Sequence, residues 1–241
     1  MIPKRLLYIL LFFAISINIT AQVVDDTTLR EAAAKVIEVY YQSLGEESPL
    51  YNGSEYLEYA FTIQGGHPFF EANGYSNGSI YFDGMIFHDV PLLYDIVKDQ
   101  VVTPDFRKIH KINLPADKIQ QFTLSGHTFI RLVQAPSSQL RTGFYDRLYE
   151  GKIGLFAKRE KRIIERNSSL QIYNEVISQN SYYLKKGDTF FTITNKRGLL
   201  DVLKGKRKEI QQYFKKNKIK YKNDPERAMI NAVQYYDQLT N

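Results

Sequence analysis

The chain is expected to adopt an α+β fold: an antiparallel, curved β-sheet with an N-terminal helix and a C-terminal helical pair. Between residues 56 and 193, short aromatic and β-branched runs are separated by turn pairs such as Gly65-Gly66, Asn73-Gly74, Asn77-Gly78, Asp83-Gly84, Ser125-Gly126, Glu150-Gly151 and Gly187-Asp188. Such punctuation marks successive hairpins. No helical pattern of crossover length falls between these runs, which argues against parallel pairing. Helical spacing returns at both ends of the chain. The 18 Tyr and 15 Phe residues suit half-buried pleated surfaces.

The elements follow in order. Lys4 and Arg5 precede an apolar run from Leu6 to Ile17, and a short polar stretch then ends at Ala21 before Gln22. Charge, apolar run and small residue in that order predict a secretory signal over residues 1–21, cleaved near Ala21. The run is shorter than the roughly 20 residues that span a hydrocarbon core. After cleavage no transmembrane segment is expected, and residues 22–241 form one β-rich domain of periplasmic or secreted address. The chain has no cysteine, which excludes disulfides, thiol chemistry, Cys-based zinc and a lipid-bearing N-terminal cysteine.

Residues 28–44 read as an amphipathic helix. Thr28 and Glu31 form a capping box, Leu29, Ala33, Val36, Ile37, Tyr40 and Leu44 recur at helical spacing, and Gly45 sits at the stop. Strands are expected over 56–193, with one tight hairpin around Asp83-Gly84 and another linking Tyr182–Leu184 to Thr189–Ile193. Pro91 must fall at an edge, a bulge or a strand start, because it has no N–H for a ladder. Over 195–241 Leu199, Leu203, Ile210 and Phe214 make a stripe with Gly205 as a break. Asn223-Asp224-Pro225-Glu226 then starts a last helix, whose buried face is expected at Met229, Ala232, Val233, Tyr236 and Leu239.

Charge is placed unevenly within a net of +6. From Gln22 to Gly151 there are 10 basic residues against 17 acidic; from Lys152 to Asn241 there are 20 against 9. Such a split favours contact between the halves, or exposes a basic face to an acidic partner. The candidate contact surface is Lys204, Lys206, Arg207, Lys208, Lys215 and Lys216, set against the plainer alternative of a solvated helix face. The exported address argues against nucleic acid as its partner and leaves a protein, a lipid or an envelope component.

Signals for chemistry are sparse. The four histidines show no zinc spacing, and Asp83, His88 and Asp89 are the closest approach to a metal cluster. Ser125-Gly126-His127 places Ser beside His, but a turn explains the pair. No phosphate-binding glycine loop or nucleophile elbow occurs, so neither a catalytic residue, a metal nor a cofactor is assigned. Short glycosylation-type motifs at Asn52, Asn77 and Asn167 carry no weight.

Gly78 to Gly84 followed by Asp89 to Asp95, Gly143 to Gly151 followed by a basic strand to Lys161, and the stretch from Tyr182 to Tyr236 together resemble uncharacterised exported proteins of the Bacteroidetes. That resemblance implies an exported address and transfers neither an activity nor site residues. The expected function is a non-catalytic envelope protein, either a partner-binding module, a chaperone or a carrier whose curved sheet holds lipid. Two alternatives stand beside it. One is a polysaccharide hydrolase, which needs two or more of Asp83, Asp89, Asp95, Asp99 and Glu150 to converge. The other is a small outer-membrane barrel, against which the charged helical C-terminus argues.

Overall fold

The computed structural model describes residues 35–36, 39–40, 43–134, 140–167 and 171–240. It divides into two units, Met1–Ser43 and Leu44–Asn241. The expected signal over 1–21 lies outside the described residues. So does most of the helix expected over 28–44, which the structure therefore does not establish.

The second unit holds eleven strands: β1 (Ser54–Glu55), β2 (Ser76–Phe82), β3 (Met85–Asp95), β4 (Gln100–Pro104), β5 (Lys111–Asn113), β6 (Ile119–Leu124), β7 (His127–Leu132), β8 (Gly143–Tyr149), β9 (Ile153–Asn167), β10 (Ile172–Lys186) and β11 (Thr189–Ile193). Three helices follow: α1 (Lys196–Val202), α2 (Arg207–Lys216) and α3 (Pro225–Thr240). The strands make one antiparallel ladder in the order β1-β5-β4-β3-β2-β6-β7-β8-β9-β10-β11, which does not close.

Local chemistry explains the hairpins. Asp83 and Gly84 both take positive φ, 51° and 82°, and so do Ser125 and Gly126 at 51° and 79°. Two left-handed residues in a row make the two-residue turn whose twist matches the strands, and the ladders start at once beside them with Phe82 opposite Met85 and Leu124 opposite His127. The hairpin expected near residue 187 is likewise present, with Tyr182 opposite Ile193 and Lys186 opposite Thr189. Pro91 pairs with Asn77 of β2, while the β4 ladder begins only at Leu93. It sits where β3 passes from one neighbour to the other.

Two boundaries differ from expectation. Apart from β1, regular strand begins at Ser76 rather than at residue 56. Residues 56–75 contain Gly65-Gly66 and Pro68, which break a regular alternation. Their polar backbone is satisfied one group at a time: Gly65 receives the Val176 N–H, Pro68 that of Ile96, and Phe70 donates to Tyr94. The C-terminal region is three helices rather than a pair, because the expected stripe breaks at a 3₁₀ turn over Lys204–Lys206, where Gly205 lies.

The sheet curls strongly. β3 and β8 stand four ladder steps apart, a separation of roughly 19 Å in a flat sheet. Yet the Tyr94 ring centroid lies 6.0 Å from that of Phe144 and 5.0 Å from that of Phe129 on β7. Lys161 of β9 also donates its backbone N–H to Ile96 at the end of β3. Tyr94, Phe122, Phe129 and Phe144, each at most 1 % exposed, fill the enclosed face with stacked and edge-to-face rings. Gly143 allows the Asp99 carboxylate to reach Lys158 at 2.7 Å. A Cβ there would stand 2.3 Å from Asp99 Oδ2.

The same face continues under the helices. Ile153, Leu155, Leu184 and Ile193 of the sheet meet Leu199, Leu203, Ile210 and Phe214, and then Met229, Ala232, Val233 and Tyr236. Leu239 is half-buried. Asp224 caps α3 by accepting the Arg227 N–H at 2.9 Å, and Pro225 occupies the first turn. α2 ends in a Schellman turn: Ile219 N–H returns to Phe214 O and Lys218 N–H to Lys215 O, with Lys218 left-handed at φ 55°. That conformation suits glycine. We predict that Lys218→Gly raises unfolding stability by about 0.5–1 kcal/mol, and that Asp224→Ala lowers it by about 1 kcal/mol. Urea unfolding of the two variants against the parent measures both.

Candidate functional site

The basic residues singled out in the sequence lie on the helical cover. Ile210 and Phe214 turn α2 toward the core, which leaves Lys208, Lys215 and Lys216, at i, i+7 and i+8, together on its outer face. Lys204 is exposed on the 3₁₀ turn, and Lys206 is half-exposed beside it. Two of the six are neutralised locally, Arg207 by Asp201 at 2.7 Å and Lys206 by Glu209 at 3.6 Å. Lys204, Lys208, Lys215 and Lys216 have no carboxylate within ion-pair reach among the described residues. Four of the six are thus exposed without a described ion pair.

The carboxylates weighed for hydrolysis do not converge. Asp83 lies in the β2–β3 turn and pairs with Lys118 at 2.9 Å. Asp89 is exposed on β3. Asp95 is fully buried and accepts from the hydroxyls of Tyr56 and Tyr59 and the N–H groups of Val97 and Lys98. Asp99 accepts from Tyr94 and pairs with Lys158, while Glu150 pairs with Arg147 at 2.7 Å. Each acid serves its own local contacts. Among the described residues no three His, Cys, Asp or Glu side chains gather as metal ligands; His88 instead lies 3.1 Å from the Ser79 hydroxyl.

A polar chain unseen in the sequence crosses the buried face of the sheet. His127 Nδ1 stands 2.8 Å from Asp146 Oδ2, and the same oxygen accepts from Arg159 Nε and Nη2 at 2.9 and 2.6 Å. Arg159 then forks onto Glu226 of α3, with Nη1 and Nη2 at 2.6 and 2.9 Å from its two oxygens. Tyr182 donates to Glu226 at 2.9 Å, and Glu71 stands 3.5 Å from His127 Nε2. Asp146 is 1 % exposed and Arg159 7 %. Residues 144 and 146 share a strand face, as do 155, 157 and 159. The charges therefore lie between the aromatic core and the helical core.

Electrostatics follow from this packing. Burial works against the Arg159 charge, but Glu226 and Asp146 outweigh it and hold the guanidinium firmly protonated. Burial, with Glu226 nearby, pushes the Tyr182 hydroxyl up to about 12. The hydrogen bond to Asp146 raises the His127 pKa above its ordinary value, with burial and Arg159 opposing and Glu71 assisting. Ser125 sits exposed in the turn, and the described partners of His127 are Asp146 and Glu71. The arrangement holds a proton and a set of charges in place. Its sequence signal was weak: Asp146 and Arg159 stand 13 apart in the chain, and Arg159 lies in a run of charged residues from Lys158 to Arg162 that does not single it out.

A cleft of about 390 Å³ opens where the β3–β4 turn meets β9 and β10. Two of its three cations are engaged by the protein itself. Lys161 donates to the carbonyls of His67 and Phe69, and Arg141 pairs with Glu160 at 2.9 Å.

Replacing Arg159 by Met should lower stability by about 3–5 kcal/mol, because it strands Asp146 and Glu226 without their shared cation. Adding Asp146→Asn and Glu226→Gln should recover part of that loss in urea unfolding. His127 has a raised folded pKa, so its contribution is fully present below the unfolded value near 6.5 and fades as pH rises through the folded one. Unfolding free energy should accordingly decline above about pH 6.5 in the parent, and the decline should shrink in His127→Gln. No protein-family model, curated protein or solved structure matches this chain, and the roles of these residues follow from their own contacts.

Proposed function

We propose that this chain is a non-catalytic, exported envelope protein that binds an anionic partner through the basic face of its helical cover. The observation that carries this reading is the set Lys204, Lys208, Lys215 and Lys216, exposed and without carboxylates in reach among the described residues. Lysines so arranged raise the local potential and attract anionic surfaces in a salt-dependent way. The export signal expected over 1–21, and the resemblance to exported proteins of the Bacteroidetes, support the address.

Other features weigh against the alternatives. Tyr94, Phe122, Phe129 and Phe144 pack together on the enclosed face of the curled sheet, which weighs against a sheet-held acyl chain. Dispersed carboxylates do not favour a hydrolase, and the unclosed ladder does not favour a barrel, which must pair every strand edge to cross a membrane.

The test is vesicle co-sedimentation of residues 44–241 as part of the full mature chain. Binding to phosphatidylglycerol vesicles is expected at low ionic strength, weakening as the Debye length falls from about 30 Å to about 8 Å, with little binding to phosphatidylcholine. The triple variant Lys208→Glu, Lys215→Glu, Lys216→Glu should weaken it roughly hundredfold or more. Equal binding to the two vesicle types, or no effect of the triple variant, would remove the reading. Export itself is checked by expressing the chain with its leader: the recovered envelope protein should begin at Gln22, and retention of residues 1–21 would count against a cleaved signal.

A further inference from the structure

A second, distinct basic feature lies where α2 hands over to α3. The Schellman turn at Lys218 reverses the chain, and the loop 217–224 then leads into the Asp224 cap, so that two helical pairs face one another across the bend. Tyr213 and Asn217 stand at i and i+4 on the α2 side; Arg227 and Asn231 stand at i and i+4 on α3. Between them opens a cleft of about 610 Å³, completed by Lys218, Lys220 and Asn223 over a floor at buried Ala228. That volume falls in the range of small-molecule sites, about 300–1,000 Å³.

The lining defines the ligand chemistry. Lys218, Lys220 and Arg227 are exposed and have no carboxylate within ion-pair reach among the described residues. The one acid, Asp224, is committed to the Arg227 backbone as the α3 cap. The cleft therefore carries an excess of positive charge from side chains. Asn217 donates its amide N–H to Tyr213 O and keeps its side-chain carbonyl oxygen. No described hydrogen bond engages the side-chain carboxamides of Asn223 or Asn231, and Asn231 is half-buried. Carboxamides offer donors and acceptors side by side, which suits vicinal hydroxyls. Tyr213 stacks on Tyr235 with centroids 4.2 Å apart, which braces the α2 side of the cleft.

We propose that this cleft binds an anionic sugar, its phosphate or carboxylate held by Arg227, Lys218 and Lys220 and its hydroxyls by Asn223 and Asn231. The proposal goes beyond the anionic-partner reading by adding a second site with its own ligand class. It uses none of the residues of the α2 face, so the two can fail separately.

Isothermal titration of the full mature protein with glucuronate and glucose 1-phosphate tests it, with glucose and inorganic phosphate as controls and a uronic-acid trimer as a third probe. At least one of the anionic sugars should bind roughly tenfold or more tighter than either control. A preference for the trimer identifies a chain terminus as the natural source, and equal binding identifies a free sugar; either supports the site. Arg227→Met should lose that affinity while its unfolding midpoint and vesicle binding stay unchanged. The Lys208, Lys215, Lys216 triple variant should lose vesicle binding and keep the sugar. Phosphate binding as tightly as the sugars, no binding by any probe, or binding indifferent to Arg227→Met would overturn the proposal.

Discussion

Arg159 is the group on which the rest of the arrangement hangs. A guanidinium at this depth is costly to desolvate, and only carboxylates in bidentate reach offset that cost. Asp146 comes from the neighbouring strand and Glu226 from the first turn of α3, so the cation ties the sheet to its helical cover at one point. Once Glu226 is fixed, the α3 N-terminus is fixed with it. The bend between α2 and α3, the lysines that crown it and the cleft inside it are then held against the sheet.

The same interaction is one of two buried pairs that join the acidic half of the chain to the basic half. Asp99 and Asp146, from the acidic half, meet Lys158 and Arg159, from the basic half, inside the fold. Surface pairs such as Arg207 with Asp201 lie within the basic half and leave the split unchanged, and exposed pairs of this kind contribute less than about 1 kcal/mol each. What is left over gathers on the helices. The positive excess there is the remainder after the interior has taken the counter-charges it needs.

Features governed by local rules were readable in the sequence. The turns at Asp83-Gly84 and Ser125-Gly126 need residues that tolerate left-handed backbone, and those residue types stand there. The buried stripes of α2 and α3 repeat at helical spacing, and the Asp224 cap announces itself beside Pro225. Features that depend on distant partners were not readable. Nothing near Tyr94 says that it meets Phe144 across four ladder steps, nor that residues 56–75 are caught between β3 and β10 instead of forming strand. The basic run was visible because exposure asks for no partner. Which of its members are neutralised depended on Asp201 and Glu209 lying within reach once the chain breaks near Gly205. The pairing of His127 and Asp146 spans 19 residues and leaves no spacing to detect.

The curl of the sheet has a kinetic side. Its closing contacts join residues tens of positions apart, such as Tyr94 with Phe144 and Ile96 with Lys161, and they form only after the intervening strands have found their register. Non-local pairing of this sort slows folding, because chain entropy must be surrendered before any compensating contact is made. Until then Phe122, Phe129 and Phe144 remain uncovered, on strands whose edges are unpaired. The newly made chain thus passes through an interval in which its most apolar surface is available to other chains, and how crowded its surroundings are in that interval governs how much of it reaches the native state.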